Sequence, residues 1–291
     1  MSAAEPIKNN NEGKVYTLYY AFFLIPLMVT ILGVMFFFTF KVLTHETSSP
    51  VDYLNNVQYG AATKRWQSAF ELSKLLSNPD LSSLNEGFHM RMISVYEKSI
   101  HDDPSVRMYL ALAMGRTRNP IYGDILISGL KDEDEASRVA AIKALGNMSY
   151  RPAISALKNF TIKTNSVQER LSATIALGNM GDASIVPILV GLLDDEEPNI
   201  RWDSAIALAK LGDSSGSEII KNLLDRIYYD QFKEVDNDEE IQAILIAIQV
   251  SNKIPSEKFV GNLLKLATFD HNMKIRNSAI KSLNETYNRK I

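Results

Sequence analysis

The chain has 291 residues, of which 31 are lysine or arginine and 34 are aspartate or glutamate, so its formal net charge at pH 7 is −3. A charge this close to zero argues against strong attraction to nucleic acid, which is not an expected partner. Cysteine is absent, which excludes disulfides, thiolate catalysis and cysteine-ligated zinc. The length allows one large domain or one repeat array next to a short terminal segment.

The N-terminal region contains a long uncharged run. Residues 1–14 are polar, include three consecutive asparagines and are predicted to be disordered. The 26 residues from 15 to 40 carry no charge. As a helix they would measure roughly 39 Å at ~1.5 Å per residue, enough to cross a hydrocarbon core of ~30 Å. We therefore predict a transmembrane helix over 15–40, which would place the lipid bilayer among the partners of this chain.

A cleaved signal peptide is the alternative interpretation of this run. The run is longer than the apolar part of a signal peptide, and no small-x-small cleavage site follows Phe40. Lys8 and Lys14 precede the run, whereas only Lys41 follows it closely, and this asymmetry favours a cytoplasmic N-terminus. We expect a single-pass protein of a bacterial inner membrane, with a linker over 41–55 and a periplasmic or extracytoplasmic domain over 56–291.

A short helical phrase recurs along the rest of the chain. Its four central copies read RMYLALAMG, RVAAIKALG, RLSATIALG and RWDSAIALA, and the arginines that open them are 31, 32 and 31 residues apart. Counting an earlier and a later copy, the six opening arginines are Arg65, Arg107, Arg138, Arg170, Arg201 and Arg276. The run EEIQAILIAIQVSN at 239–252 keeps the apolar pattern without the arginine. This period predicts an all-α solenoid of about six helical hairpins, preceded by the transmembrane helix.

The apolar pattern of each copy predicts one buried helix face. Offsets of three and seven residues from the arginine lie on the same side of a helix. The residue at the first offset is small in five of six copies, as at Ala141, and leucine or methionine stands at the second, as at Leu145. Gly115, Gly146 and Gly178 follow directly, and we expect them to end their helices in a left-handed conformation.

The repeated arginines are interpreted as structural, with a binding role as the alternative. Acids stand four residues before three of them, at Asp103, Asp134 and Glu197. This spacing allows an acid in the first turn to pair with the arginine one turn later. Runs of acids precede the arginine-bearing helices, whereas the loops inside the hairpins carry basic residues such as Arg116 and Arg151. The acidic edge is explained by helix capping, and docking of a basic partner is the alternative.

These units resemble HEAT repeats, and their period is that of the short bacterial subtype called PBS-lyase HEAT-like repeats. The phrases VRMYLALAMG, SRVAAIKALGNM, ERLSATIALGNMGD and IRWDSAIALAKLGD carry the resemblance, which covers roughly residues 56–288. It implies an Asp–Arg ladder between neighbouring units and second helices that line a concave side. It is specific for the fold and poor for function. Bilin lyases and isomerases of phycobilisome assembly are built from similar repeats.

No catalytic, cofactor or metal site is expected. The four histidines are not at metal-ligand spacing from one another, and GxSxG, HExxH and P-loop patterns are absent. We therefore expect binding, not catalysis, to be the function.

Aromatic residues on or next to the second helices are the predicted contacts with a protein partner, because aromatic residues are enriched at interface centres. They are Tyr122, Phe160, Tyr228, Tyr229 and Phe232. The last three belong to the longest insertion, DRIYYDQF, and are expected to be exposed. The predicted function is a membrane-tethered, non-catalytic scaffold or assembly subunit, for example within a multisubunit respiratory-type membrane complex. The alternative is an enzyme similar to the bilin lyases and isomerases.

Overall fold

A computed structural model describes residues 19–43, 49–78, 84–101 and 103–289 of the chain, which divides into two units, Met1–Ser49 and Pro50–Ile291. The predicted disordered tail (1–14), residues 15–18 of the predicted membrane span and residues 44–48 of the predicted linker lie outside the described residues.

The first unit contains one apolar helix. A π-helical turn, Tyr20–Leu24, leads into α1, Ile25–Leu43. The segment Tyr20–Phe40 has a mean hydropathy of 2.5, and none of its residues is buried. The hydroxyls of Thr30 and Thr39 donate to backbone carbonyls one turn earlier, 2.8 Å away in both cases, so the helix satisfies these polar groups internally. Its length and composition suit a membrane span or a signal sequence.

Within its described residues, the second unit contains helices and no strands. Its α-helices are α2 Pro50–Tyr59, α3 Ala62–Leu75, α4 Glu86–Lys98, α5 Pro104–Thr117, α6 Gly123–Gly129, α7 Glu135–Asn147, α8 Ile154–Lys158, α9 Val167–Met180, α10 Val186–Gly191, α11 Pro198–Lys210, α12 Ser217–Leu223, α13 Asn237–Ser251, α14 Glu257–Phe269 and α15 Met273–Glu285. The first helices of the repeats thus have odd numbers from α3 to α15, and all of them except α13 carry the repeat arginine, whereas the second helices have even numbers from α4 to α14.

The predicted linker, 41–55, is too long. Helix α2 begins inside it, at Pro50, where proline suits the first turn because the missing N–H would have no intrahelical partner. Leu54 and Val57 of α2 are fully buried in the apolar core. The second unit therefore starts at Pro50, six residues before the predicted boundary at 56.

The odd-numbered helices pack side by side in a row along the second unit. Each packs against the next along the chain, from α3 to α11, and α13 packs between α11 and α15. The residues three and seven positions after the arginine point into this packing: Ala141 and Leu145 in α7, and Ala173 and Leu177 in α9, are fully buried. The predicted buried face is confirmed.

The glycines that follow the buried leucines do not end their helices, so that prediction was wrong. Gly115, Gly146 and Gly178 lie inside α5, α7 and α9. A Cβ built on Gly115 would lie 2.5 Å from the Cα of Ala144 in the next odd-numbered helix, closer than real Cβ atoms come. These glycines therefore allow neighbouring backbones to approach. The left-handed residue that ends α9 is Gly181, with φ 62°.

Two apolar cores fill the second unit. The first runs from Leu54 in α2 to Leu208 in α11, and the second from Trp202 in α11 to Leu283 in α15. Helix α11 belongs to both, because Ala205 packs in the second core three residues before Leu208 packs in the first. The boundary between the cores runs along this helix.

Candidate functional site

Buried ion pairs connect repeat units that follow one another. Nε of Arg107 lies 2.5 Å from a carboxylate oxygen of Asp132, and Nη2 of Arg170 lies 3.0 Å from Asp195. In each pair the acid lies 25 residues after the arginine, just before the next odd-numbered helix. Arg170 and Asp195 are only 2% and 4% exposed. The two arginines therefore lie inside the stack, where a partner cannot reach them.

The predicted pairing of each arginine with the acid four residues earlier is wrong for Arg138. Its Nε lies 2.6 Å from Glu169 of the next unit, while Asp134 caps α7. Other repeat arginines donate to backbone carbonyls at distances of 2.6–2.7 Å: Arg65, Arg201 and Arg276. An acid one turn before the arginine serves the helix N-terminus because its side chain can accept a backbone N–H there.

Of the predicted partner contacts, Tyr122 is a core residue. It is fully buried, and its hydroxyl lies 2.6 Å from Nδ1 of His89. Burial raises the pKa of Tyr122, so the phenol stays neutral at physiological pH. Phe160 is half-buried against the first core. A direct contact between Tyr122 and a partner is thus excluded.

The aromatic insertion packs onto Trp202 of α11 instead of projecting into solvent. The ring centroid of Trp202 lies 6.1, 6.0 and 4.9 Å from those of Tyr228, Tyr229 and Phe232. The indole N–H donates to the Tyr228 hydroxyl at 3.1 Å, and the Tyr229 hydroxyl donates to the carbonyl of Leu223 at 2.9 Å. Tyr229 is 4% exposed, so its predicted exposure is wrong, whereas Tyr228 and Phe232 are half-buried.

Arg226 fixes the insertion, which includes the 3₁₀ helix Arg226–Gln231. Its guanidinium donates to both carboxylate oxygens of Asp270, at 2.6 and 3.0 Å, and to Glu240 of α13 at 2.7 Å. Desolvation opposes ionisation of Asp270, but the hydrogen bonds from Arg226 and the Asn272 backbone prevail and lower its pKa. The insertion is therefore held in place by the last repeats.

A cleft of about 660 Å³ lies between α11 and α13, and the end of the insertion forms one of its walls. We call it the acidic cleft. Its apolar lining includes Trp202, Ile206, Phe232, Val235 and Ile246. The acids that line it are Glu197, Asp203, Glu234, Asp236, Asp238 and Glu239. No lysine, arginine or histidine is among its lining residues within the described part of the chain. An apolar floor with an acidic rim suits a partner that is both apolar and basic.

A second cleft, of about 450 Å³, occupies the corresponding place between α5 and α7. Met108 and Leu112 line it, one and five residues after their arginine, as Trp202 and Ile206 do in the acidic cleft. Lys143 also lines this second cleft. Both clefts thus open between odd-numbered helices, whereas the sequence had pointed to the even-numbered ones.

An apolar row at the fifth position after the arginine is the signal that sequence reasoning missed. It comprises Phe70, Leu112, Ile175 and Ile206, whereas lysine stands at this position in the third and sixth copies, at Lys143 and Lys281. The buried face uses the third and seventh positions, but the core still explains part of this row, because Ile206 is 9% exposed in the second core and Leu112 packs against the first. Phe70 and Ile175 are 37% and 42% exposed. The exposed members of the row therefore add apolar surface to the odd-numbered helices.

Asp203 is the unusual charged group of the acidic cleft. Burial raises its pKa to about 6, and Lys210, farther along the same helix, lowers it only in part. Its carboxylate accepts no hydrogen bond and forms no ion pair with any described residue. A half-buried carboxylate without a partner is costly, and a nearby cation would favour its charged form. Among all the residues that the structure describes, no three His, Asp or Glu side chains are grouped so that they could bind a metal ion.

Comparisons with known proteins support the repeat architecture. The family model for HEAT repeats matches residues 93–167 and 154–235. No curated protein sequence matches the chain significantly. Among solved structures, the CpcE–CpcF complex of phycocyanin lyase from Nostoc sp. PCC7120 has a TM-score of 0.55 and 19% identity, over 84% of this chain and 96% of that chain. At this identity the similarity establishes the fold alone.

Two engineered proteins are also similar. One has a TM-score of 0.49 and 18% identity, over 81% of this chain and 68% of its own. The other has a TM-score of 0.45 and 17% identity, over 83% and 98%. The assignment rests on the family match alone: the all-helical second unit is a solenoid that contains HEAT repeats.

Proposed function

We propose that this chain is a membrane-tethered, non-catalytic scaffold that binds a protein partner on its odd-numbered helices, chiefly at the acidic cleft. Stacked helical repeats present extended surfaces that suit protein binding. The observation that carries the proposal is the acidic cleft itself, an apolar recess of about 660 Å³ with acids at its rim. Such a recess can desolvate an apolar anchor while the rim selects its charge.

The apolar helix Tyr20–Phe40 supports the tether. It is 21 residues long and uncharged, and none of its residues is buried. Together with the basic residues before it, this favours a bacterial inner membrane with the second unit on the periplasmic side. A partner close to the bilayer, such as a subunit of a respiratory-type membrane complex, would be within reach.

Membrane fractionation tests the tether. We expect the full-length chain to remain in the membrane pellet after carbonate extraction, with its N-terminal segment intact by mass spectrometry. A shortened chain in the soluble fraction would identify the apolar helix as a cleaved signal sequence and contradict the tether.

Affinity capture of the full-length chain in mild detergent tests partner binding. Ile246 lines the acidic cleft and is 36% exposed, so Ile246→Lys places a cation in the cleft without removing a core residue. Ile162→Lys is the matched control, because Ile162 is 56% exposed and lines neither cleft. Wild type and control should recover the same subunits by mass spectrometry, and the cleft variant should lose them. Equal recovery by all three would move the binding face elsewhere.

A spectroscopic measurement separates the scaffold from an enzyme similar to bilin lyases or isomerases. Purified protein is incubated with an open-chain tetrapyrrole, and the absorbance spectrum is compared with that of the free pigment. For a scaffold we expect identical spectra. A stoichiometric spectral shift would favour the enzyme.

A further inference from the structure

The acidic cleft exposes apolar surface between two helices. Ile246, 36% exposed, and the half-buried Ala243 lie on the α13 side, whereas only the edges of Ile206 and Trp202, 9% and 8% exposed, reach the cleft on the α11 side. The volume of about 660 Å³ falls within the ~300–1,000 Å³ range of ligand pockets. This is room for a few side chains of an incoming segment, which would bury the exposed part of Ile246.

The acids at the rim of this cleft divide into two groups. Glu197, Asp236 and Glu239 accept backbone N–H groups at the N-termini of α11 and α13 and so serve the helices. The carboxylates of the others accept no hydrogen bond and form no ion pair within the described ranges: Asp203, Glu234 and Asp238. None of these three acids is therefore neutralised by an ion pair in the described part of the chain, although Lys210 partly offsets the charge of Asp203.

Asp203 differs from the other two acids because it is partly withdrawn from water. It follows Trp202 directly on α11, and its side chain is half-buried, whereas Glu234 and Asp238 are exposed. Isolation of a carboxylate from water destabilises its charged form unless a cation stands beside it. A cationic side chain that enters the cleft would supply this counter-charge at the point where it is most effective.

We infer, resting on the scaffold function proposed above, that the acidic cleft binds a segment of the protein partner in which a lysine or arginine is flanked by aliphatic residues. The cation lies against Asp203, and the aliphatic side chains lie against Ile206 and Ile246. Glu234 and Asp238 attract the segment and set its orientation, because exposed charges at a rim act mainly on association and specificity.

A peptide titration with a local reporter tests this inference. The chain has two tryptophans, so Trp66→Phe leaves Trp202 as the single fluorophore in the cleft. The full-length variant in detergent is titrated with a short synthetic peptide of leucine and lysine, and with a matched peptide in which glutamine replaces each lysine. Trp202 emission reports occupancy of the cleft and not adsorption of peptide to the micelle. We expect the lysine peptide to bind at least about tenfold more tightly.

Two further substitutions in this background identify the charge responsible. Asp203→Asn should weaken the lysine peptide about tenfold and leave the glutamine peptide unchanged. Asp230→Asn, which removes an exposed acid outside the cleft, should preserve the preference. Equal affinity for the two peptides, or an unchanged affinity in Asp203→Asn, would overturn the inference. If the inference is overturned but Ile246→Lys abolishes subunit capture, the proposed scaffold function still holds. If the inference is overturned and Ile246→Lys still captures the subunits, the inference and the scaffold function are both wrong.

Discussion

Gly146 and Ala176 meet where α7 packs on α9: a Cβ built on Gly146 would lie 2.6 Å from both the Cα and the Cβ of Ala176. Gly115 and Ala144 repeat this relationship one unit earlier, at 2.5 and 2.7 Å. At these two contacts the backbones of neighbouring helices approach as closely as the missing side chain allows. The spacing between units thus depends on the absence of one methyl group.

Gly146→Ala should therefore destabilise the protein. Alanine in a helix interior is normally better than glycine by up to ~1 kcal/mol, but overpacking costs roughly 1–3 kcal/mol and should prevail here. Gly261→Ala in α14 is the control, because a Cβ there meets no atom within 4 Å. Urea unfolding should show a lower midpoint for the first variant and an equal or higher one for the second. A shift of both in the same direction would contradict the close-contact role.

Asp195→Asn should cost about 3–5 kcal/mol, the usual penalty for leaving a buried charge without its partner. Arg170 would lose its buried partner and keep only the exposed Glu196, 3.7 Å away, whereas the asparagine oxygen could still accept the Glu197 N–H that Asp195 accepts at 2.9 Å. The control is Lys258→Met, because Lys258 and Glu218 form an exposed pair at 2.6 Å. Exposed pairs contribute little, so its denaturation midpoint should stay near that of wild type. Similar losses in both variants would refute a special role for the buried pair.

Leu177→Ala should destabilise the protein by ~2–5 kcal/mol, and Leu283→Ala by less. Both side chains are fully buried, so burial does not distinguish them. Leu177 lies in α9 with odd-numbered neighbours on both sides, whereas Leu283 lies in α15, the last described helix. In a solenoid each unit is stabilised by its nearest neighbours. Equal losses in chemical denaturation would indicate one globular core.

Asp203→Asn should stabilise the free protein at neutral pH. The pKa of Asp203 is about 6 in the folded state against 3.8 ordinarily, so folding strengthens proton binding. Stability is therefore lost as pH rises from about 4 to about 6, and the loss is complete above that window. Asparagine removes this cost, which we place at about 1–3 kcal/mol at pH 7 and near zero below pH ~4. Urea unfolding at the two pH values measures it, and an equal gain at both would contradict the assigned cause.

The same substitution should stabilise the chain and weaken peptide binding. A functional site often contains residues that lower the folding stability of the free protein but strengthen ligand binding, and Asp203 is expected to do both. The two measurements on Asp203→Asn therefore check each other.

Local sequence was sufficient to predict the buried face, because positions three and seven residues after the arginine share one side of any helix. The partners of Arg107 and Arg170 were not predictable in this way, since the acids lie 25 residues farther on and approach only after the units stack. The roles of Gly115, Gly146 and Gly178 were ambiguous because they too depend on how the units stack. A glycine after a leucine suits a helix end as well as a close contact, and only the neighbouring helix decides.

The aromatic insertion and the clefts show a second limit of prediction from sequence. Their position in the longest insertion suggested that Tyr228, Tyr229 and Phe232 were exposed, but Trp202, 26 residues before Tyr228, provides a surface for them. The row from Phe70 to Ile206 was present in the sequence. This row could not be recognised as a separate feature, because the core positions already accounted for the amphipathic pattern.

The sharing of α11 between the two cores has a consequence for amide hydrogen exchange. A helix packed in both cores stays protected while either half of the solenoid is intact, so its amides should exchange more slowly than those of α3 or α15. Each half can open without the other. Occupation of the acidic cleft, which lies between α11 and α13, would slow opening of the C-terminal half alone by mass action. Bound partner would then appear as slower exchange in α15, although no residue of α15 lines the cleft.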